Sequence, residues 1–299
     1  MKYITLRQLR YFEALARFGH FGRAAEDCAI SQPALSMQIR ELETEMGADL
    51  LEKQSRSPRL TRLGEALVEK ARAILHAVDE LETLSRAGQD GFMGQLRLGI
   101  IPTIAPYLLP SFLQVLAKQS PGLDVQLRES LTPKLLAETR EGRIDAAILA
   151  LPVSEPELAE MPIFSEEFVL VRPLSEAGKP VPGPQSLKEM RLLLLEEGHC
   201  FRDQALSFCD LSAKAPKEML EASSLSTLVQ MVAAGIGVTL IPEMAMKVET
   251  RSAPVAIARF ANPKPSRTIG MVWRKTNPLA TRLEAIARLV QQAAKPLGN

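Results

Sequence analysis

Long hydrophobic runs are missing from this 299-residue chain, and no apolar stretch follows its first residues. The first absence argues against a membrane-spanning helix, which needs about 20 apolar residues. The second argues against a secretory leader, because Met1-Lys2-Tyr3 leads straight into a periodic segment. A cytoplasmic protein with no membrane partner is expected. Cysteine is scarce as well. Three in the whole chain do not make a disulfide framework, and in a reducing compartment any disulfide among them would be transient and redox-sensing. His20 and His76 have no matching partners and read as ordinary surface or helix residues. The cysteine spacing fits no common zinc pattern, so no metal is expected. A net charge of +1 gives no bulk argument for nucleic acid; that argument must come from local pattern. What is present is an ordinary globular composition, 46% hydrophobic and 24% charged, at a length that suits two or three domains.

The first sixty residues read as short helices. Leu6, Leu9, Phe12, Leu15 and Ala16 recur at helical spacing until Gly19 and His20 close the helix. Gly22–Cys28 forms a second, short helix on Ala24-Ala25, with Cys28 packed inside. After Ala29-Ile30, Ser31 is an N-cap and Pro33 lies in the first turn of a third helix, Gln32–Met46. On it Leu35, Ile39 and Leu42 face inward, leaving Gln32, Ala34, Ser36, Met37 and Arg40 outward. That is helix-turn-helix geometry, in which the second helix presents its N-terminal side chains to base edges. Lys53, Arg56, Arg59 and Arg62 follow in a Ser/Pro-containing, hairpin-like segment. Alone they would be a solvated loop; beside such a helix they form a basic wing for phosphates.

Leu-Arg-Gln-Leu-Arg-Tyr-Phe at 6–12, Ala24-Ala25, Ser31-Gln32-Pro33-Ala34-Leu35-Ser36, Ile39, Leu42-Glu43, Leu50-Leu51-Glu52 and Thr61-Arg62-Leu63-Gly64 together resemble the winged helix-turn-helix of LysR-type transcriptional regulators. The resemblance implies a DNA-binding domain over 1–64, with Ser31, Gln32, Pro33, Ala34, Ser36, Arg40, Lys53, Arg56 and Arg59 against double-stranded promoter DNA. A linker helix and hinge over 65–90 and a regulatory domain over 91–299 would follow.

Leu67, Ala71, Ile74, Val78 and Leu81 are spaced four, three, four, three, a seam for about two heptads. It suits either a helix lying on its own domain or a dimer; a two-fold DNA site favours the dimer. Gly88 to Gly94 is the hinge.

Beyond it, strand-like runs (Leu96–Ile101, Val125–Glu129, Asp145–Leu149, Phe168–Val171, Leu192–Leu195, Val238–Ile241, Thr268–Trp273) alternate with helical ones (Tyr107–Lys118, Pro133–Gly142, Leu225–Ala234, Leu279–Ala293). Alternation predicts parallel α/β structure. The two sets suggest two subdomains around a cleft, one of about 91–164 with 270–299, the other of about 165–269. This resembles the periplasmic-binding-protein-like effector domain of the same family. Ligands in such sheets sit at the carboxyl ends of strands, which here carry Pro102-Thr103, Ser130-Leu131-Thr132 and Gly198-His199-Cys200. Each Thr taken singly reads as a helix cap; their shared placement points to one pocket.

Cys200 stands at a strand-to-helix turn with His199, Arg202 and Asp203 around it, and Cys209 follows nine positions later. A thiolate is the nucleophile, and helix N-termini and neighbouring cations favour it. Peroxide converts a thiolate to a sulfenic acid, which condenses with a nearby thiol. If the segment is helical, nine steps of about 1.5 Å put the two thiols ~13.5 Å apart on opposite faces, against the ~7 Å that a disulfide spans. Closing the bond would then require unwinding. The bland alternative is two buried structural cysteines.

Leu194-Leu195-Glu196-Glu197-Gly198-His199-Cys200-Phe201-Arg202-Asp203-Gln204-Ala205 and Phe208-Cys209 are similar to the redox loop of the peroxide-sensing members of the LysR family. So are Gly99–Thr103, Tyr107–Pro110, Ala222–Leu225, Met231–Gly235 and Arg267–Gly270. The resemblance implies Cys200 as peroxidatic, Cys209 as resolving, and Thr103, Thr132, His199, Arg202, Asp203 and Arg267 as pocket or switch residues. It further implies no bound cofactor, with hydrogen peroxide as signal, and a homotetramer (dimer of dimers) recruiting RNA polymerase to antioxidant genes. A thiol reductant such as glutaredoxin or thioredoxin would reset it. Asp210–Pro216, polar and short, departs from that pattern and bears on the tempo of closure. The rivals are a LysR-type regulator gated by a small-molecule effector, a thiol peroxidase, for which residues 1–64 have no use, and a transport-type binding protein.

Overall fold

The computed structural model describes residues 4–52, 58–87, 94–187, 189–209, 220–261 and 264–295. They fall into two compact units, one within residues 1–90 and 141–143 and one within residues 91–140 and 144–299.

In the first unit, α1 (Leu6–Phe18), α2 (Phe21–Asp27) and α3 (Gln32–Met46) pack around Phe12, Leu15, Ala24, Leu35, Ile39 and Leu42. Thr5 and Gln8 make a reciprocal capping box at the start of α1, satisfying two otherwise orphaned amides. His20, expected to be an ordinary surface or helix residue, is exposed and caps α2: its Nδ1 accepts from the amides of Gly22 and Arg23 at 3.1 and 3.4 Å. Ser31 Oγ accepts from the Ala34 amide, so α3 starts where its cap and Pro33 predict. The base of the wing is a short antiparallel pairing, Leu51 against Leu60, held to α3 by Glu43 Oε1, which accepts from the amides of Leu50 and Leu51 at 2.8 and 3.1 Å. Lys53 and Arg56 lie outside the described residues, as does the hinge at 88–93.

Helix α4 (Arg62–Ala87) then runs for 26 residues. A Cβ at Gly64 would sit 2.3 Å from the Leu50 carbonyl oxygen, so only glycine lets the helix begin this close to the wing. The seam divides along its length. Ala71 is buried, and Leu67 packs on the first unit's core. Ile74 and Leu81 are exposed, an apolar face left open.

The second unit contains β1 (Gly94–Ile100), α5 (Ala105–Gln119), β2 (Leu123–Glu129), α6 (Thr132–Arg140), β3 (Ala146–Leu151), β4 (Leu158–Pro173), α7 (Pro184–Leu187) and β5 (Leu194–Leu195). It continues with α8 (Cys200–Phe208), β6 (Glu221–Ala222), α9 (Leu225–Ala233), β7 (Thr239–Pro242), α10 (Glu243–Glu249), β8 (Val255–Arg259), β9 (Ser266–Arg274) and α11 (Ala280–Ala294). The main sheet has the order β2-β1-β3-β9-β4-β7, with β8 also on β4.

The expectation of parallel structure holds only in part. β1 pairs in parallel with β2 and β3, and β5 with β6. β4 and β9 are antiparallel to each other and to their other neighbours. These two long strands cross between the halves of the unit. Glu160, Glu166 and Glu167 interrupt the apolar character of β4, so the pattern shows only its last, fully buried run, Phe168–Val171. Strand β8 and helix α10 were likewise invisible in the pattern.

Candidate functional site

Two surfaces collect the residues singled out above. On the first unit, Ser31, Gln32, Pro33 and Arg40 are exposed along α3 while Ala34 and Ser36 are half-buried, and Arg59 is exposed at the wing base. Leu35, Ile39 and Leu42 are buried, so α3 is anchored by one stripe and presents the opposite one. Cys28 ends α2 half-buried, and burial raises its thiol above its ordinary range, which disfavours the thiolate at neutral pH.

The second surface is a cleft of about 510 Å³ between the halves of the second unit. Thr132 and Leu136 come from α6, Ala150–Val153 from the end of β3, Cys200, Asp203 and Gln204 from α8, and Ser266, Arg267 and Thr268 from β9. The order i, i+3, i+4 in Cys200, Asp203 and Gln204 is one face of a helix. Phe201, Ala205 and Leu206 form the buried face, and Cys209, eight positions beyond Phe201, prolongs that stripe and is fully buried. The two thiols are not joined in a disulfide and occupy opposite ends and opposite faces of one helix. Phe201 meets Phe168 edge to face at 4.8 Å, and Phe208 meets Phe260 at 5.1 Å, so each end of α8 is pinned by an aromatic pair.

The turn that delivers Cys200 depends on Gly198, at φ +94°, a conformation costly for any other residue. The other expected pocket residues have distinct places. Arg202 turns away from the thiol: its Nη1 donates to the Leu195 carbonyl at 2.9 Å and meets Glu221 Oε1 at 2.6 Å, tying α8 to β5 and β6. His199 is buried, and desolvation lowers its pKa below the usual 6.5 against the opposing charge of Glu196. The imidazole is therefore neutral at pH 7, and neither expected cation stands free beside the thiol. Thr103 is buried behind the cleft, where its Oγ1 accepts from Arg267 Nη1 at 2.8 Å.

Neither threonine is a helix cap. Thr132 Oγ1 is buried with no hydrogen-bond partner among the described residues, and Gln204 Oε1 is in the same condition. Two unsatisfied polar atoms on the wall of one cleft mark a place for a small polar molecule. Gln204 was missed as a site residue although its i+4 spacing from Cys200 signals it. Glu166, which pairs with Arg267 at 2.7 Å, is 101 positions away in sequence and carried no such signal. Among the described residues, no group of three or more His, Cys, Asp or Glu is placed to hold a metal ion, and no helix is long and apolar enough to cross a membrane.

Comparison with known proteins matches residues 6–65 to a bacterial regulatory helix-turn-helix protein of the lysR family and residues 89–295 to the LysR substrate binding domain. The chain is 42% identical over 297 residues to a probable hydrogen peroxide-inducible genes activator of Streptomyces viridosporus, covering 98% of this chain and 95% of the relative. It is 39% identical over 290 residues to the DNA-binding transcriptional dual regulator OxyR of Escherichia coli K12, covering 96% and 95%. Among solved structures it resembles a full-length OxyR variant from Pseudomonas aeruginosa (TM-score 0.78, 36% identity, 98% and 97% of the two chains). It also resembles a Corynebacterium glutamicum OxyR mutant described as H2O2-bound (TM-score 0.68, 36% identity, 99% and 95%).

Proposed function

The chain belongs to the LysR family of bacterial helix-turn-helix regulators, and on that premise we propose that it senses hydrogen peroxide through Cys200. The observation that carries the reading is the placement of Cys200 on the cleft face of α8, with Thr132, Gln204 and Arg267 around it, while a second reduced cysteine, Cys209, ends the same helix. Relatives named as peroxide-inducible activators support it.

The Cys200 thiolate attacks one peroxide oxygen; the sulfur–oxygen bond forms as the O–O bond breaks. Sulfur loses two electrons, and the leaving oxygen takes up a proton and departs as water. The Cys209 thiolate then attacks the Cys200 sulfur of the sulfenic acid, displacing a second hydroxide that is protonated to water, and the disulfide closes. Because α8 separates the thiols by nine residues, on the order of 13.5 Å along its axis, closure unwinds α8. It withdraws Phe201 and Phe208 from their aromatic partners and Arg202 from Leu195 and Glu221. Local chemistry thus becomes a rearrangement of the cleft.

In the same reading the protein acts in the cytoplasm as a homotetramer, a dimer of dimers paired through the exposed Ile74 and Leu81 of α4. It binds promoter DNA through α3, engages RNA polymerase at antioxidant genes and is reset by a thiol reductant such as glutaredoxin or thioredoxin. The cleft volume favours one second reading, since about 510 Å³ exceeds what a single peroxide fills: a regulator gated by a small effector.

The deciding experiment is a thiol count before and after about one equivalent of hydrogen peroxide, with mass spectrometry of the 200–209 peptide. Loss of two thiols with a Cys200–Cys209 link is expected. Free cysteines after treatment, or reaction at Cys28 alone, would leave the effector-gated reading.

A further inference from the structure

Helix α3 carries its charges in two zones. From Gln32 to Arg40 there is no acidic residue and Arg40 is the one cation, while Glu41, Glu43 and Glu45 all fall in the C-terminal part. A polyanion is therefore accepted along the first zone and repelled by the second. At about 3.6 residues per turn, Pro33, Met37, Arg40 and Thr44 lie on the face opposite the buried stripe of Leu35, Ile39 and Leu42.

Met37 is the anomaly on that face. Its side chain is 55% exposed, whereas the other large apolar side chains of α3, Leu35, Ile39, Leu42 and Met46, are buried or half-buried. The remaining exposed large apolar side chains of the first unit lie on α4 or at the start of α1, so on α3 Met37 stands alone and offers a protein partner no apolar patch. Several polar groups near it are already engaged. Gln38 Nε2 donates to Glu41 Oε2 at 2.6 Å, Thr44 Oγ1 donates to the Arg40 carbonyl at 2.8 Å, and Ser31 Oγ caps the helix. The acid-free zone thus presents a thioether one turn before a guanidinium.

We propose that Met37 is a specificity-determining residue for DNA: it reads thymine, by packing its thioether against the 5-methyl group in the major groove. The inference rests on the reading that α3 binds promoter DNA. Every base edge in the major groove offers hydrogen-bond donors or acceptors, and thymine alone adds an apolar group, its 5-methyl. Met37 has no donor and only a weakly accepting sulfur, so it gains little from the polar edges. Its unbranched, polarisable chain adapts to an apolar contact. Met37 stands in the second turn of α3, within the N-terminal part that reaches base edges in a helix-turn-helix. Arg40, on the same face, holds the polyanion close.

The test uses the full chain, reduced, and a duplex that the wild type itself selects from a random pool. Each thymine is replaced in turn by deoxyuridine, which lacks only the 5-methyl group. Affinities are measured for the wild type, Met37→Ala and Met37→Leu, with a thermal melt and a sizing run of each. Burial of one methyl group is worth roughly a fourfold change in affinity, so replacing at least one thymine should weaken wild-type binding about fourfold. Met37→Ala should bind the unmodified duplex at least as weakly as that and be indifferent to the replacement, a non-additivity that a merely structural role would not produce. Met37→Leu, apolar and of similar size, should keep the discrimination. The salt slope should be the same in all three, because a thioether displaces no counterion. Deoxyuridine penalties that persist in Met37→Ala, the absence of any penalty in the wild type, or a changed oligomeric state in Met37→Ala with unchanged base preference overturns the inference alone. A wild type that selects no sequence from the pool overturns the reading of α3, and this inference with it.

Discussion

Cys200 opens α8 on the cleft face, and Cys209 closes it on the buried stripe of Phe201 and Ala205. Every turn of α8 therefore opposes the bond between them. Ser207 is exposed on this helix, and alanine is the better helix former by roughly 0.5 kcal/mol. Ser207→Ala should leave the rate of sulfenic acid formation unchanged and slow disulfide closure about twofold, read by rapid quench and peptide mass spectrometry. Faster closure in that variant would mean that α8 is not what has to unwind.

The neutral, buried imidazole of His199 makes stability depend on pH. Burial lowers its folded pKa below 6.5, so in mild acid the unfolded chain takes up a proton that the folded chain refuses. Its contribution is fully present above about pH 6.5 and is lost as pH falls through the window below that value. Melting temperatures measured from about pH 7.5 to 5 should fall more steeply for the wild type than for His199→Gln. Parallel curves would assign the acid sensitivity to other groups.

Gly198 is a second point of leverage. A Cβ there would approach Leu131 Cδ1 to 3.1 Å at a φ of +94°. Gly198→Ala is expected to destabilise the second unit by about 1–3 kcal/mol, seen as a lower urea midpoint with the same slope. It should also blunt Cys200 oxidation, because the turn that delivers the thiol is displaced.

For the first unit, removing one exposed cation from α3 gives a quantitative expectation. If Arg40 contacts phosphate, Arg40→Ala weakens binding to all DNA sequences alike and reduces the salt slope of the affinity by about one. If it reads a base, the loss concentrates on the specific site. Titration at several salt concentrations on specific and scrambled duplexes separates the two, and an unchanged affinity on both would remove Arg40 from the interface.

The sequence by itself determined the features set by neighbouring residues. The extent of α3 followed from Ser31, Pro33 and the Leu35–Ile39–Leu42 stripe. The opposed faces of α8 followed from nine helical steps between Cys200 and Cys209. Caps, turns and amphipathic stripes are local interactions spaced by 3.6 or 2 residues, so they can be read along the chain. Which groups meet in the cleft was decided by tertiary structure. Only the β4–β9 ladder brings Glu166 to Arg267, and only the packing of β1's following turn against β9 puts Thr103 behind that arginine. Arg202 illustrates the same limit: two positions from Cys200 in sequence, it is drawn to Leu195 and Glu221 instead, because a half-buried guanidinium goes where carbonyl and carboxylate oxygens are fixed around it. Contacts across such distances leave no period in the sequence, and burial, which decides the charge on His199, exists only after the chain has folded.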